Sequence, residues 1–190
     1  MNILIINGHP YEDKLGYQLH RKYREGAESA GHSVHELLLK DIHFSLNLEK
    51  GYKLLPEAEL DIQHAQSEIS WADHLVWIYP NWWGTYPALL KGFIDRVFLP
   101  GFAFRYESGK GRIPMLAGKT ARLIVSMDNP VWYYYLVLGA PGHKAMRRAT
   151  LHFSGIRPVH SLTLGRVRLA SPDKIAKWEK LVWRMGYNGI

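Results

Sequence analysis

Apolar runs and amphipathic segments alternate along this chain, with polar or glycine-containing loops between them. Residues 74–79 form a nearly continuous apolar run with β-branched and aromatic members, which is typical of a strand buried on both faces. Shorter apolar runs predict further strands at residues 2–7, 33–39, 119–126 and 158–164. Five strands separated by helices predict an α/β fold, in which a doubly wound parallel sheet carries helices on both faces.

The segments between these strands carry helical spacing and helix-end signals. Pro87 is predicted in the first turn of a helix, where its missing N–H costs nothing, and apolar residues follow it at helical spacing. Gly31 is predicted as a left-handed cap that ends the first helix, and Ser171 as the cap that begins the last one. The predicted helices cover residues 17 to about 30, 56 to about 71, 87–98, 143 to about 152, and 171 onwards, while residues 99–119 and 127–136 are predicted as connections.

Length and residue content limit the class of protein. With 190 residues, a single domain covering residues 1–190 is predicted, and it is large enough to bury a substantial core. No run approaches the length of a transmembrane helix, and the apolar segment at residues 3–6 is too short for a signal sequence and lacks a basic leader. We therefore expect a cytoplasmic protein. The chain has no cysteine, so disulfides and thiol chemistry are excluded.

The chain is basic, with a formal net charge of +7. A surface of this sign can attract nucleic acid, anionic lipid or a phosphorylated small molecule. Lysine and arginine are spread along the chain, with local enrichment at residues 144–148 and 157–168. This distribution favours a solvated basic surface over a stripe that binds nucleic acid. A nucleic-acid partner is therefore not expected, although nucleic-acid binding remains an alternative function.

Metal and nucleophile chemistry have little support in the residues. The ten histidines do not show the paired spacing of zinc proteases, and thiolate ligands are absent. A metal site is therefore not predicted. No serine lies in a nucleophile elbow, so a hydrolase is not predicted either.

The loop after the third predicted strand contains two tryptophans at an edge where ligands bind. In parallel α/β sheets, ligands lie outside the carboxyl ends of the strands. Trp82 and Trp83 belong to a loop there rather than to a periodic apolar face, which indicates contact with a flat partner. The alternative is that both indoles belong to the core.

The loop after the first predicted strand is a candidate anion site. Residues 8–16 lead from a strand into a helix, and the backbone N–H groups at a helix N-terminus point outward and attract negative charge. The glycine patterns of a Walker loop and of a dinucleotide fingerprint are both missing. In the alternative interpretation, His9 only closes the turn.

The stretch from residue 80 to residue 98 also carries a family resemblance. Its pattern is Pro-x-x-Trp-x-x-x-Pro-Ala-x-Leu-Lys-Gly-Phe-Ile-Asp-Arg-Val-Phe, and it closely resembles the flavodoxin-like NAD(P)H:quinone oxidoreductases, including their small bacterial members. Trp83, Pro87, Lys91, Asp95 and Arg96 are among the residues that carry the specificity. With the first strand and His9 included, the similarity covers most of the chain.

This resemblance implies a fold, a reaction and partners. It implies the flavodoxin-like order of a five-stranded parallel sheet, and a flavoenzyme in which a hydride from NADH or NADPH reaches flavin and two electrons then pass to a quinone or a similar flat acceptor. The implied cofactor is FMN, with FAD as the alternative, and the implied assembly is a homodimer. In a second class of relatives, a protein of this fold is a regulatory subunit that activates a potassium-efflux transporter in the membrane.

The resemblance also implies a set of flavin-binding residues in three loops. Gly84 departs from the family, because many relatives carry an aromatic residue there, and relatives more often have hydroxyl residues in place of Asp13 and Lys14. Asp128 is expected to point away from the flavin or to cap a helix, because an ionised carboxylate would oppose the negative charge that reduction creates. The implied cofactor-binding residues are His9, Lys14, Leu15 and Gly16 at the phosphate, Pro80, Asn81, Trp82, Trp83 and Gly84 at the ring, and Ser126, Met127 and Asp128 at the pyrimidine edge.

Four aromatic or histidine side chains complete the implied site. Tyr134 and His143 are similar to the tyrosine and histidine that the family places near the reacting face, where a phenol and an imidazole suit charge stabilisation and proton supply. A structural role for His143 at a helix start is the alternative. Phe104 and Tyr106 resemble the aromatic wall of the substrate pocket, which the family often contributes across the dimer interface. An ordinary apolar anchor for the loop is the alternative for these two.

Overall fold

The central sheet has five parallel strands in the order β2-β1-β3-β6-β7. The computed structural model describes residues 1–12, 14–48, 51 and 58–190. The strand order is that of a flavodoxin-like sheet, so the predicted fold class is confirmed. The strands of the sheet are β1 (Asn2–Asn7), β2 (Ser33–Leu38), β3 (His74–Pro80), β6 (Thr120–Ser126) and β7 (Val159–Leu164).

Helices cover both faces of this sheet. One apolar core contains residues of α1 and α6, and the other contains residues of α2, α3 and a π-helix, Ala145–His152. The helices are α1 (Lys14–Ser29), α2 (Leu60–Trp71), α3 (Ala88–Val97), α4 (Val131–Leu136), α5 (Pro141–Lys144), which runs directly into the π-helix, and α6 (Pro172–Asn188).

Strand register brings three loops together at one edge of the sheet. β3 is buried along its whole length, as its continuous apolar run predicts. Asn7 of β1 pairs with Ile78 of β3, and Pro80 pairs with Ser126 at the end of β6. Because the three strands are parallel and end at similar heights, the loops that follow them lie side by side.

The predicted helix ends hold at two positions. Gly31 follows α1 with φ of 78°, the left-handed conformation that glycine adopts at little cost. The Ser171 hydroxyl accepts a hydrogen bond of 3.3 Å from the Lys174 amide, and Pro172 occupies the first turn of α6. The caps read from the sequence therefore define where α1 ends and where α6 begins.

Four element predictions are corrected by the structure. The second helix begins at Leu60 rather than at Pro56, a residue that lies outside the described part of the chain. Pro87 is the cap that precedes α3 rather than its first helical residue. The connection at residues 99–119 contains an antiparallel hairpin of β4 (Phe104–Glu107) and β5 (Gly111–Pro114), with glycines at positive φ in its turn. The connection at 127–136 contains α4.

The helices α1 and α6 approach each other so closely that their backbones are in contact. A Cβ built on Gly186 would overlap the carbonyl oxygen of Tyr23 and would lie 2.9 Å from its carbonyl carbon. A Cβ on Gly26 would likewise overlap the carbonyl oxygen of Trp183. The two helices therefore touch through backbone atoms, which only glycine permits at this separation.

His74 is a buried polar residue at the start of β3. Its side chain is 3% exposed, and Nδ1 lies 2.6 Å from the Thr120 hydroxyl of the neighbouring strand. Burial, with the nearby charge of Arg122, lowers the pKa of His74 to about 4, because a desolvated imidazole resists protonation. His74 is therefore neutral in the folded protein at physiological pH.

Among the described residues, no helix has the length and the apolar composition that crossing a bilayer requires.

Candidate functional site

A cleft of about 330 Å³ opens at the carboxyl edge of the sheet, between the loops that follow β1, β3 and β6. It contains every predicted residue of the second and third loops, together with His9 of the first. The lining residues are His9, Tyr11, Pro80, Asn81, Trp82, Trp83, Gly84, Ser126, Met127, Asp128, Asn129 and Val167. The three loops chosen from the sequence therefore meet in one concave site.

The loop after β3 ends in a two-residue turn with Trp83 at its tip. The Trp82 amide donates to the Thr85 carbonyl and the Thr85 amide donates to the Trp82 carbonyl, both at 3.0 Å. Trp83 has φ of 52° and Gly84 has φ of 82°, so both central residues are left-handed, as in a type I′ turn. Trp83 is fully exposed. A bulky residue in this conformation is strained, and such strain concentrates at functional sites.

The carbonyl of Gly84 fixes this turn to the segment that joins α4 and α5. It accepts hydrogen bonds from the Gly142 amide at 3.0 Å and from the Tyr134 hydroxyl at 3.3 Å. A Cβ on Gly142 would lie 2.9 Å from both the Gly84 oxygen and the Thr85 Cα. Close packing and two hydrogen bonds therefore hold the turn in place.

Tyr134 and His143 are buried behind the turn. Their predicted role near the reacting face stays a prediction, and their contacts within the protein fit the structural alternative given for His143. Tyr134 is 0% exposed and His143 is 7% exposed, and neither lines the cleft. The Tyr134 hydroxyl donates to Gly84 and accepts from the His143 amide at 3.2 Å. In this structure both residues position the loop after β3, because their polar atoms are used inside the protein.

The hydrogen bonds around His143 define a neutral ring. Because the single Tyr134 proton goes to Gly84, His143 Nδ1, 3.1 Å from that hydroxyl, is the protonated nitrogen. Nε2 then accepts from the Thr163 hydroxyl at 2.9 Å, and Thr163 accepts from Tyr135 at 3.0 Å. Burial and the charge of Arg147 lower the pKa of His143 to about 4, and burial raises the pKa of Tyr134. Both groups are therefore neutral at pH 7.

Backbone amides in two of the loops are available to a ligand. Among the described residues, the amides of Trp83, Gly84, Asp128 and Asn129 donate to no protein acceptor. The side-chain amide nitrogen Nδ2 of Asn7, at the end of β1, is buried and also has no hydrogen-bond partner among the described residues. A planar acceptor-rich ligand in the cleft would satisfy donors of this kind.

The carboxylate of Asp128 is engaged by the backbone. Its Oδ1 accepts a hydrogen bond of 3.0 Å from the Arg168 amide, in the short 3-10 helix Val167–Leu169. The two segments also bond through Val167 N–H to the Met127 carbonyl at 3.1 Å. This agrees with the expectation that Asp128 caps a helix.

Sequence reasoning missed two lining residues, Tyr11 and Val167. Tyr11 lies two residues beyond His9, and its ring packs edge-on against the His9 ring at 4.7 Å. Asn129 lies in the loop that the resemblance places at the pyrimidine edge, and it lines the cleft beside Ser126, Met127 and Asp128. Val167 belongs to the loop after β7, which reaches the cleft through its contacts with residues 127–129. The sequence carries no local signal for that contact.

The predicted phosphate-binding residues only partly face the cleft. Leu15 is buried in the core between α1 and the sheet, so its side chain cannot reach a ligand. Gly16 lies in the first turn of α1, whose positive end is close to the first loop. Asp13 and the Lys14 side chain lie outside the described residues.

Phe104 and Tyr106 line a different cavity of the same subunit, and their predicted place in a substrate pocket completed across the dimer interface stays a prediction. This groove of about 570 Å³ lies between α3, the β4–β5 hairpin and the π-helix, and it also includes Tyr86 and Phe153. Within one subunit, the aromatic wall is therefore separate from the cleft. In the part of the chain that the structure describes, no three His, Cys, Asp or Glu side chains form a group suited to a metal ion.

Comparison with known proteins assigns the family. The model of a family described as having a flavodoxin-like fold matches residues 1–182. The chain belongs to this flavodoxin-like family. The resemblance found at residues 80–98 is thereby confirmed.

Three proteins illustrate how this flavodoxin-like chain relates to others. A ribosyldihydronicotinamide dehydrogenase-like protein, traD, of Penicillium crustosum is 32% identical over 158 residues, which cover 67% of this chain and 57% of that protein. An uncharacterised NAD(P)H oxidoreductase of Haemophilus influenzae is 30% identical over 143 residues, which cover 70% of this chain and 68% of that protein. The chain thus spans less than two thirds of the first relative's length and about two thirds of the second's. The crystal structure of Smu.1420 from Streptococcus mutans UA159 superposes with a TM-score of 0.84 at 29% identity, over 99% of this chain and all of that one.

Proposed function

We propose that this protein is a flavin-dependent NAD(P)H:quinone oxidoreductase. The observation that carries the proposal is the cleft itself, in which a strained tryptophan turn and amides without protein acceptors meet at the carboxyl edge of a flavodoxin-like sheet. The reaction named for the Haemophilus influenzae relative supports it. The proposed cofactor is FMN, with FAD as the alternative, and the proposed location is the cytoplasm.

The residues present suit a flavin in their donor chemistry. The amides of Gly84 and Asp128 would donate to ring carbonyls and nitrogens, and Trp82 and Trp83 would cover the ring or its rim. The positive end of α1 would face the phosphate. When bound there, FMN would supply the two-electron chemistry that links NAD(P)H to a quinone.

The protein's own part in this reaction is orientation and charge control. The Arg168 amide holds the Asp128 carboxylate, which limits its repulsion of negative charge at the cleft. Tyr134 and His143 support the Gly84 carbonyl and are positioning residues. We also propose a homodimer in which Phe104 and Tyr106 of one subunit complete the cleft of the other.

The test is whether the purified protein binds flavin and turns it over. We expect the protein to be yellow, or to bind added FMN, and to oxidise NADPH or NADH with a quinone in a ping-pong pattern. Mass analysis of the released chromophore separates FMN from FAD. A colourless protein that binds neither flavin contradicts the proposal. Flavin binding without turnover, together with activation of a membrane transporter, would favour the regulatory alternative.

Trp83→Asn should separate stability from ligand binding. Asparagine tolerates the left-handed conformation, so relief of strain should raise the free energy of unfolding by about 1 kcal/mol. Loss of the indole should weaken FMN binding by up to about tenfold, since stacking on an aromatic side chain contributes roughly 0.5–1.5 kcal/mol. Urea unfolding and flavin fluorescence titration measure the two effects. Trp132→Asn, at an exposed residue outside the cleft, is the control and should leave FMN affinity unchanged.

Tyr134→Phe should loosen the turn. The variant removes the hydroxyl that donates to Gly84 and accepts from His143, and the loss of one buried hydrogen bond costs about 1 kcal/mol or more. We expect a matching loss of stability and an FMN dissociation constant raised by about fivefold, with the KM for quinone little changed. Tyr187→Phe is the control, because Tyr187 is an exposed residue of α6 and does not take part in the hydrogen bonds around Tyr134 and His143. Equal effects of the two variants on FMN binding would exclude a positioning role for Tyr134.

A further inference from the structure

An apolar segment projects from the surface beside the cleft. In residues 132–138, Trp132, Leu136 and Val137 are all more than half exposed, and Leu136 reaches 81%. Tyr134, in the same helix, is fully buried and anchors α4. Large exposed apolar patches on soluble domains mark interaction surfaces. We call residues 132–138 the apolar ridge.

A basic pocket adjoins this ridge. It has a volume of about 390 Å³ and is lined by Tyr135, Gly139, Ala140, His143, Lys144, Arg147, Arg148, Val159, His160 and Ser161. Lys144, Arg147 and Arg148 form no ion pair with any carboxylate among the described residues. Their charges are therefore available to an external anion.

The sequence around the pocket has no compensating negative charge. Between Asp128 and Asp173 the chain contains no aspartate or glutamate. The cations in that interval are Lys144, Arg147, Arg148, Arg157, Arg166 and Arg168. The positive charge is thus a property of the whole segment that carries the ridge.

The ridge and the pocket are one continuous surface. Tyr135 belongs to both, since it lines the pocket and lies in the ridge, and Gly139 lines the pocket one residue beyond the ridge. A partner that contacts this surface must therefore offer anionic groups and apolar groups within the same small area. Protein surfaces that bind at the interface of an anionic bilayer combine tryptophan, tyrosine and leucine with lysine and arginine.

We propose that this surface docks the protein on an anionic lipid bilayer. Lipid phosphates occupy the basic pocket, and the ridge residues Trp132, Leu136 and Val137 enter the boundary between headgroups and acyl chains. The protein lies on the membrane without crossing it. This inference concerns binding only, so it holds or fails independently of the proposed reaction.

A second copy of the chain is a poorer occupant of this surface, and the homodimer proposed above uses the cleft with Phe104 and Tyr106 instead. In an isologous dimer the same patch of both copies forms the interface, so the cations of both pockets would be gathered in one interface. Like charges brought together in this way oppose association. The ridge alone would favour self-association, but the adjoining charges do not.

The experiment is vesicle flotation with the purified full-length protein. We expect binding to vesicles of phosphatidylcholine with about one third phosphatidylglycerol, weak binding to pure phosphatidylcholine, and loss of binding at high salt. Lys144→Glu/Arg148→Glu should weaken binding by at least about tenfold. Leu136→Ser/Val137→Ser should weaken it by about fivefold or more.

Two matched variants separate this surface from general charge and general apolarity. Lys177→Glu/Lys180→Glu changes the net charge by the same amount on α6, and Leu60→Ser removes a leucine that is also 80% exposed, on α2. Both should bind vesicles as the wild type does. Far-ultraviolet circular dichroism and thermal unfolding check that every variant is folded.

Several outcomes would overturn the proposal. They are absence of binding to anionic vesicles at low salt, equal loss in the α6 charge variant, and unchanged binding of Leu136→Ser/Val137→Ser. Sedimentation velocity measures the oligomeric state and so tests whether a second copy of the chain occupies the ridge. A dimer that dissociates in Leu136→Ser/Val137→Ser would assign the ridge to a second copy instead.

Discussion

Gly186→Ala is expected to lower the free energy of unfolding by about 3 kcal/mol, at the upper end of the cost of overpacking. The added Cβ overlaps the Tyr23 carbonyl oxygen, which is backbone and cannot rotate away. Alanine is favoured over glycine in a helix by about 1 kcal/mol. The net loss of stability therefore requires that the steric cost of the overlap be larger than this gain. For a domain of this size the midpoint of thermal unfolding should fall by about 6–12 °C, as measured by calorimetry and urea unfolding.

Gly101→Ala is the control for this substitution. Gly101 has φ of 91° with nothing within 4 Å of its Cβ position, so alanine there is strained but not crowded, at a cost of about 1 kcal/mol. If Gly186→Ala were no more destabilising than Gly101→Ala, close backbone contact between α1 and α6 would not describe the protein in solution. Gly26→Ala should repeat the Gly186 result from the other helix.

Acid is expected to destabilise the protein between pH 6.5 and pH 4, partly through His74. Its pKa in the folded state is about 4, below the 6.5 of an unfolded histidine. The unfolded chain therefore binds the proton first, so stability is complete above pH 6.5 and is lost as the pH falls towards 4. The full loss from His74 is about 3 kcal/mol. His143, whose pKa is also about 4, acts in the same direction.

Urea unfolding at a series of pH values measures this effect. His74→Gln keeps a polar group opposite Thr120 but does not titrate, so the fall in stability between pH 6.5 and 4 should become less steep. Thr120→Val is the control. It removes the hydroxyl that bonds His74 and should lower stability while leaving the pH slope intact. Identical slopes for wild type and His74→Gln would show that His74 does not resist protonation.

Much of the fold follows from local signals in the sequence. Local signals include the apolar run of β3, the glycine after α1 and the serine before α6. Each of them affects the residues next to it in the chain, so the sequence alone reveals it. The three loops of the cleft follow from strand direction alone, because parallel strands that end together place their loops together. The hairpin at Phe104–Pro114 was missed because its strands have only four residues each and none of these residues is buried.

The features of the site that the sequence could not show concern packing between distant segments of the chain. The Tyr134 hydroxyl bonds the carbonyl of Gly84, fifty residues earlier in the chain. Val167 reaches the cleft only through the hydrogen bonds of its loop to residues 127–129. Phe104 and Tyr106 line a groove of their own. Each depends on how elements far apart in sequence are packed.

The conformation of Trp83 also makes the site observable by optical methods. The left-handed backbone directs its indole into water, and the side chain is fully exposed. A quencher dissolved in the buffer therefore has free access to this ring, whereas Trp77 is enclosed in the core. Trp132 is also exposed, so the Trp132→Asn variant makes Trp83 the most accessible emitter. Its shielding from the quencher would report the arrival of any ligand at the turn, coloured or not.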